Sequence, residues 1–145
     1  MPHETYPRSP KALLGGLAHL GRFIDKIRLR NAGHIQDYNY ITVGFDKYLT
    51  DFLGIDAKVF EQQVLAGGTD QDLLTWVKAN GRKVSDQEVA QWSHGLLVSC
   101  PKDEAARRRL EGRLKDIATK RGVPVETLPL VTTWADVIEL DEDRL

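Results

Sequence analysis

The chain has 145 residues, a formal net charge of −1 and a hydrophobic content of 41%. This size and composition are typical of one soluble globular domain, and no stretch approaches the ~20 apolar residues that a membrane-spanning helix needs. The near-zero net charge argues against bulk nucleic-acid binding, and the single cysteine, Cys100, excludes an internal disulfide. We therefore expect a cytoplasmic protein with one helical domain over residues 1–145.

The N-terminal residues 1–10 are predicted to form an extended segment. The stretch TYPRSP within it places Arg8 between Pro7 and Pro10. Because the two prolines restrict the unfolded backbone, they lower the entropy cost of fixing Arg8 in one position. We therefore expect Arg8 to be docked against the folded protein.

The first predicted helix covers residues 11–31. Its apolar residues recur at spacings of three and four, and they are Leu13, Leu17, Leu20, Ile24 and Ile27. Gly15 and Gly16 each lower helix stability by roughly 1 kcal/mol relative to alanine, so the first turns should be loose. On this helix His19 and Lys26 fall away from the apolar stripe and are predicted to face solvent.

Residues 34–43 break the helical pattern and are predicted to form a loop, or at most one arm of a small hairpin. Four shorter helices follow, with start and stop signals at Gly54, Asp56, Thr69 with Asp72, Asn80 with Gly81, and Ser85 with Glu88. A charged helix runs from Pro101 to about Arg121, and Thr133 caps a last short helix. The fold class is therefore an all-α, single-domain bundle of six or seven short helices.

The charge is unevenly distributed near the C-terminus. Residues 102–121 contain eight basic and four acidic side chains (+4), whereas residues 134–145 contain five acidic side chains and one arginine (−4). Either the acidic segment lies near the basic helix or both are solvated. The alternative is that the basic helix binds an anion or a partner.

The sequence gives little support for a metal site or a nucleophilic cysteine. No two of the four histidines have the i, i+4 spacing of a helical zinc pair, so we expect neither a metal site nor a cofactor. Cys100 precedes a proline and has no basic residue within two positions on its N-terminal side, so no thiolate activation is indicated.

A polar cluster is the strongest candidate for a site. Asp25 and Arg28 share a helix face because they lie three residues apart. Arg8 from the N-terminal segment, with Asp37, Tyr38 or Tyr40 from the loop, can complete a site that binds a small anionic molecule or positions a proton donor. The alternative is a surface ion pair worth ~0–1 kcal/mol.

The chain resembles a bacterial family of small uncharacterised proteins, number five thousand and sixty-nine in the series of domains of unknown function. The resemblance covers nearly the whole chain and is carried by the stretches YPRSP, LGGLAHLGRFIDKIRL, GFDKYLTDFLGID, VLAGGTDQDLLTWV and SDQEVAQW. It implies no activity, substrate or cofactor. It does imply that the family's signature includes Tyr6, Arg8, Asp25, Lys26 and Arg28.

Three functions follow as hypotheses. The first is a small binding or interaction module with a polar site between the N-terminal segment and the first helix. The second is an enzyme acting on a small anionic substrate, in which Asp25 or a loop tyrosine performs acid–base chemistry. The third is the binding of an acidic partner or a nucleic acid by the basic helix 102–121. The ligand, partner and oligomeric state do not follow from the sequence.

Overall fold

The structure, a computed structural model, describes residues 6–145, so the predicted extended conformation of residues 1–5 lies outside the described residues. The described residues form seven α-helices, a 3₁₀ helix at Val125–Thr127 and no β-strand. The helices are α1 (Leu20–Asn31), α2 (Gly44–Leu53), α3 (Ala57–Leu65), α4 (Asp70–Asn80), α5 (Asp86–Leu97), α6 (Glu104–Arg121) and α7 (Trp134–Asp141). The predicted all-α class and number of helices are confirmed.

The chain divides into two compact units, the first extending to His94 and the second comprising Gly95–Leu145. In the first unit α1 packs on α3, and the core of this unit includes Leu20, Phe23, Ile24, Leu49, Phe60 and Leu73. In the second unit α6 packs on α7, and its smaller core contains Leu110, Ile117, Val131, Val137 and Leu140. The single domain expected over residues 1–145 stays a prediction.

The first helix begins at Leu20, so its predicted N-terminal part over residues 11–19 is wrong. Gly15 and Gly16 adopt positive φ angles of 59° and 79°, which a right-handed helix excludes. A Cβ atom at Gly15 would lie 2.6 Å from the side chain of Leu74. These residues therefore form a turn packed against α4, because glycine allows both the backbone conformation and the close approach.

Most local end signals are confirmed. The side chains of Asp56 and Thr133 cap α3 and α7, and the two capping boxes are formed at Thr69 with Asp72 and at Ser85 with Glu88. The left-handed conformation expected at Gly81 is wrong, because its φ is −87°. A Cβ there would lie 2.6 Å from the carbonyl oxygen of Leu53, so glycine is required for a close backbone approach.

None of the helices within residues 6–145 combines the length and the hydrophobicity of a membrane-spanning segment. The same residues contain no group of three histidine, cysteine, aspartate or glutamate side chains placed to hold a metal ion.

Candidate functional site

Three ionisable side chains are buried together in the first unit: His19, Lys26 and Asp46. Their exposed fractions are 1%, 5% and 0%. His19 directly precedes α1, Lys26 lies in the second turn of α1, and Asp46 lies in the first turn of α2. We call these three residues the buried polar cluster. Charged side chains are almost never this deeply buried unless they are paired.

The carboxylate of Asp46 accepts three hydrogen bonds. The donors are His19 Nε2 at 2.6 Å, Lys26 Nζ at 2.9 Å and the backbone N–H of Ile41 at 2.8 Å. Burial opposes ionisation of Asp46, but the hydrogen bond from His19 and the hydrogen bond and charge of Lys26 outweigh it and hold the pKa of Asp46 below the ordinary value. Asp46 is therefore a buried carboxylate.

His19 is held as a neutral imidazole. Burial lowers the pKa of His19 more strongly than the hydrogen bond to Asp46 raises it. With Asp46 ionised, Nε2 is assigned as the donor in this contact, and Nδ1 then carries the lone pair. Nδ1 is buried and has no hydrogen-bond partner among the residues that the structure describes. The Phe45 ring stands edge-on to the imidazole with centroids 5.5 Å apart.

Two donors to Asp46 adopt unusual backbone conformations. The φ angles of His19 and Ile41 are 70° and 61°, in the left-handed region that residues with a side chain rarely occupy and that is least favourable for a β-branched residue. Each such conformation costs of order 1–3 kcal/mol. The surrounding structure therefore holds these two hydrogen-bond donors in place and offsets their conformational cost.

The loop before α2 places two tyrosine rings beside arginines of α1. The Tyr38 ring lies 5.9 Å from Arg22 Cζ and the Tyr40 ring 4.6 Å from Arg30 Cζ, within the range of cation–π attraction. The Tyr40 hydroxyl donates to Glu61 at 2.5 Å. Burial and this hydrogen bond raise the pKa of Tyr40, so its hydroxyl keeps its proton at neutral pH.

Arg8 is held between two carboxylates in a group that we call the Arg8 clamp: Arg8, Asp25 and Asp70. Its Nε and Nη2 donate to Asp25 at 2.9 and 3.1 Å, and its Nη1 and Nη2 donate to Asp70 at 2.6 and 3.1 Å. The hydrogen bonds with Asp70 and then Asp25 raise the pKa of Arg8, and the bond from Arg8 lowers the pKa of Asp70. The guanidinium therefore forms bidentate contacts with two carboxylates of the protein.

A glycine makes room for this arrangement on α1. A Cβ atom at Gly21 would lie 3.0 Å from Arg8 Cζ, so the absence of a side chain lets the guanidinium lie directly against the helix. The backbone N–H of Arg8 also donates to Asp25 at 2.9 Å. The N-terminal segment is thus fastened to α1 through both backbone and side chain.

The five residues predicted as a site have different surroundings. Arg8 and Asp25 are in the expected contact. Arg28 donates instead to a backbone carbonyl in the loop before α4, at 3.0 Å. Asp37 is exposed and Tyr38 is half-buried. A ligand-binding role for these residues stays a prediction.

The prediction that His19 and Lys26 face solvent is wrong. His19 precedes the helix, so a helical wheel does not describe it, and Lys26 is buried because its ammonium reaches Asp46. Asp46 and Asp70 were not predicted as site residues. Asp46 carries a usable signal, since it shares a helix face with Leu49, at the i+3 position. A charged residue within an apolar stripe indicates a buried polar contact.

The acidic C-terminal segment contacts the end of the basic helix within the second unit. Lys120 Nζ lies 3.6 Å from an oxygen of Asp141, and Arg121 Nη2 lies 3.2 Å from an oxygen of Asp143. The acidic segment therefore lies near the basic helix, which is one of the interpretations given for the charge distribution of the sequence. The exposed arginines of α6 nearer its N-terminus are Arg107, Arg108, Arg109 and Arg113.

A family model described as "Domain of unknown function (DUF5069)" matches residues 4–144, almost the entire chain. The chain belongs to the DUF5069 family. This confirms the resemblance found in its sequence motifs. No curated protein matches the chain significantly. The DUF5069 description assigns no activity.

Replacing Asp46 by asparagine should reduce the free energy of unfolding by about 3–5 kcal/mol, because it breaks a buried ion pair. The matched control is Asp51→Asn on the same helix, where the carboxylate forms an exposed pair with Lys47 at 2.9 Å. That change should cost less than about 1 kcal/mol. Urea unfolding of both variants measures the difference, and equal losses would contradict a stabilising role for the buried charge.

The stability of the protein should fall as the pH drops below about 6.5, the ordinary pKa of histidine. Since burial lowers the pKa of His19 in the folded state, the unfolded chain binds more protons below this pH and unfolding becomes easier. The slope contributed by one proton is at most about 1.4 kcal/mol per pH unit.

Unfolding free energies measured between pH 7.5 and 5.5 test this pH dependence. His19→Asn should remove this part of the slope, and asparagine tolerates the positive φ at that position. The exposed His94 serves as control, because His94→Asn should keep it. Equal slopes in the wild type and His19→Asn would contradict the assignment of the proton to His19.

Replacing Arg8 by glutamine should loosen the N-terminal segment. The side chain of Arg8 is 35% exposed, so solvent screening limits the expected cost to about 1 kcal/mol. Amide hydrogen exchange of the His19 N–H, which donates to the carbonyl of Pro10 at 3.0 Å, should accelerate about fivefold. Arg108→Gln, which removes an exposed pair at 3.7 Å, should leave it unchanged. Unchanged exchange in Arg8→Gln would mean that the Arg8 clamp does not hold the segment.

Proposed function

We propose that the first unit binds a small anionic molecule at the polar residues of the N-terminal segment, α1 and the loop before α2. The observation that carries the proposal is the Nδ1 atom of His19, which is buried without a partner among the described residues. A buried polar atom without a hydrogen bond costs ~1–3 kcal/mol. Such a group is a natural contact for a ligand.

Stability alone is a weak reason for the buried polar cluster. Taking ions out of water costs several kcal/mol each, and well-packed apolar residues often stabilise a protein as well as a buried ion pair does. The positive φ angles of His19 and Ile41 add a further conformational cost. These costs support a role for the cluster beyond holding the helices together.

The charge of the ligand is inferred from one face of α1. Arg22, Lys26 and Arg30 follow each other at spacings of four residues and so share a helix face. Arg22 and Lys26 are 4% and 5% exposed, and the charges of both act on the His19 imidazole. Because Lys26 is already paired with Asp46 at 2.9 Å, the proposal assigns the anion to Arg22, whose charge lies near the neutral acceptor.

The residues predicted as a site from the sequence enter this proposal in two ways. Arg8 and Asp25 hold the N-terminal segment in place, and the two bidentate pairs leave Arg8 little capacity for an anion. Tyr38 lies beside Arg22 and can line the site. Arg28 and Asp37 are exposed and belong to its margin.

The two alternative functions are less well supported. Tyr40 is a poor general base because its pKa is raised and its hydroxyl is bonded to Glu61. In the basic helix, Lys120 and Arg121 contact acidic residues of the same chain, which leaves fewer cations for an acidic partner or nucleic acid. A cytoplasmic location, expected from the single cysteine, is part of the same proposal.

Titration with inorganic anions tests the proposal without knowledge of the natural ligand. Phosphate and sulfate are added separately to the full chain, and the backbone amide shifts of His19 and Ile41 are followed by NMR. At least one anion should shift both signals in a saturable way. Arg22→Gln should weaken this binding about tenfold, since it removes a charged hydrogen-bond donor.

The exposed Arg113 of α6 provides the control, because Arg113→Gln removes the same charge in the second unit. It should leave binding unchanged. The conservative Arg22→Lys variant separates loss of charge from loss of packing. If neither of these anions binds and no small carboxylate such as glycolate or acetate binds either, or if Arg22→Gln binds as tightly as the wild type, the proposed function is wrong.

A further inference from the structure

We infer that the anion bound by the first unit carries a hydroxyl group, which donates a hydrogen bond to His19 Nδ1. This inference rests on the proposed anion site and specifies the chemical class of its ligand. It depends on which nitrogen of the imidazole holds the proton. The contacts of Asp46 decide that question.

Asp46 fixes the tautomer of His19. Its oxygens also accept from Lys26 Nζ at 2.9 Å and from the Ile41 N–H at 2.8 Å, so it acts as an ionised acceptor. An ionised carboxylate has no proton to donate, so His19 Nε2, 2.6 Å away, must be the donor in that contact. Nδ1 then keeps its lone pair, because a second proton would place an additional charge in the protein interior.

An acceptor at this position discriminates between anions. A ligand with a hydroxyl group can donate a hydrogen bond to Nδ1. An anion without a hydroxyl group would place an oxygen lone pair against the lone pair of Nδ1, and Nδ1 would stay without a hydrogen bond. Hydrogen phosphate and hydroxycarboxylates combine anionic oxygens with a hydroxyl donor. Sulfate and simple carboxylates have the anionic oxygens alone.

Binding to Nδ1 requires local opening of the first unit, because the atom is buried. Association should therefore be slower than at an exposed site, because binding that requires a conformational change is slowed. This affects the rate of binding and leaves the preference between two anions of equal size unchanged.

Two matched pairs of probes test the inference at about pH 8. Hydrogen phosphate is compared with sulfate, which has the same charge and shape, and glycolate is compared with acetate. Affinities come from the amide shifts of the full chain, and the ¹⁵N shift of His19 Nδ1 is recorded at saturation. The hydroxylated member of at least one pair should bind about tenfold or more tightly than its partner, and it should shift the Nδ1 signal.

The variant His19→Asn should reduce this preference to less than about twofold, while the exposed control His94→Asn should retain it. If His19→Asn does not fold, the Nδ1 shift in the wild type remains a direct test. Preference for phosphate without glycolate indicates a phosphate-type ligand, and the reverse indicates a hydroxycarboxylate.

Each remaining outcome is decisive. Equal binding of both members of each pair, or preference for sulfate and acetate, overturns the hydroxyl inference and leaves the anion site standing. An unchanged Nδ1 signal on saturation also overturns it. Binding of none of the four probes overturns the proposed function itself.

Discussion

The buried carboxylate of Asp46 is the interaction on which the arrangement of the first unit depends. Its three donors come from the turn before α1, from α1 itself and from the loop before α2. Because an unsatisfied buried charge costs several kcal/mol, these segments have to reach their positions together. Asp46 therefore couples the first helix to the loop and to the start of the second helix.

This coupling explains why backbone conformations that are unfavourable in isolation persist there. His19 and Ile41 adopt positive φ angles, and in that conformation both donate to the same carboxylate. A core made only of residues such as Phe23 and Leu49 would bury the same faces without desolvating any charge. What the polar cluster adds is the buried Nδ1 atom of His19, on which the proposed function depends.

The Arg8 clamp has a different physical character. The guanidinium faces Asp25 on α1 and Asp70 at the start of α4, residues that are far apart in the chain. Since both partners are carboxylates in bidentate contact, the charge of Arg8 is compensated by the protein. An arginine that the sequence presents as an anion ligand thus fastens the N-terminal segment to two helices.

The all-α class and most helix ends can be predicted from the sequence, because periodicity and capping act between residues a few positions apart. The box at Thr69 and Asp72 is such a local signal. The burial of His19, Lys26 and Asp46 and the contact of Arg8 with Asp70, 62 residues away, are evident only in the folded protein. Those contacts depend on which distant segments pack together, and burying a charge is costly unless a group of opposite charge lies beside it.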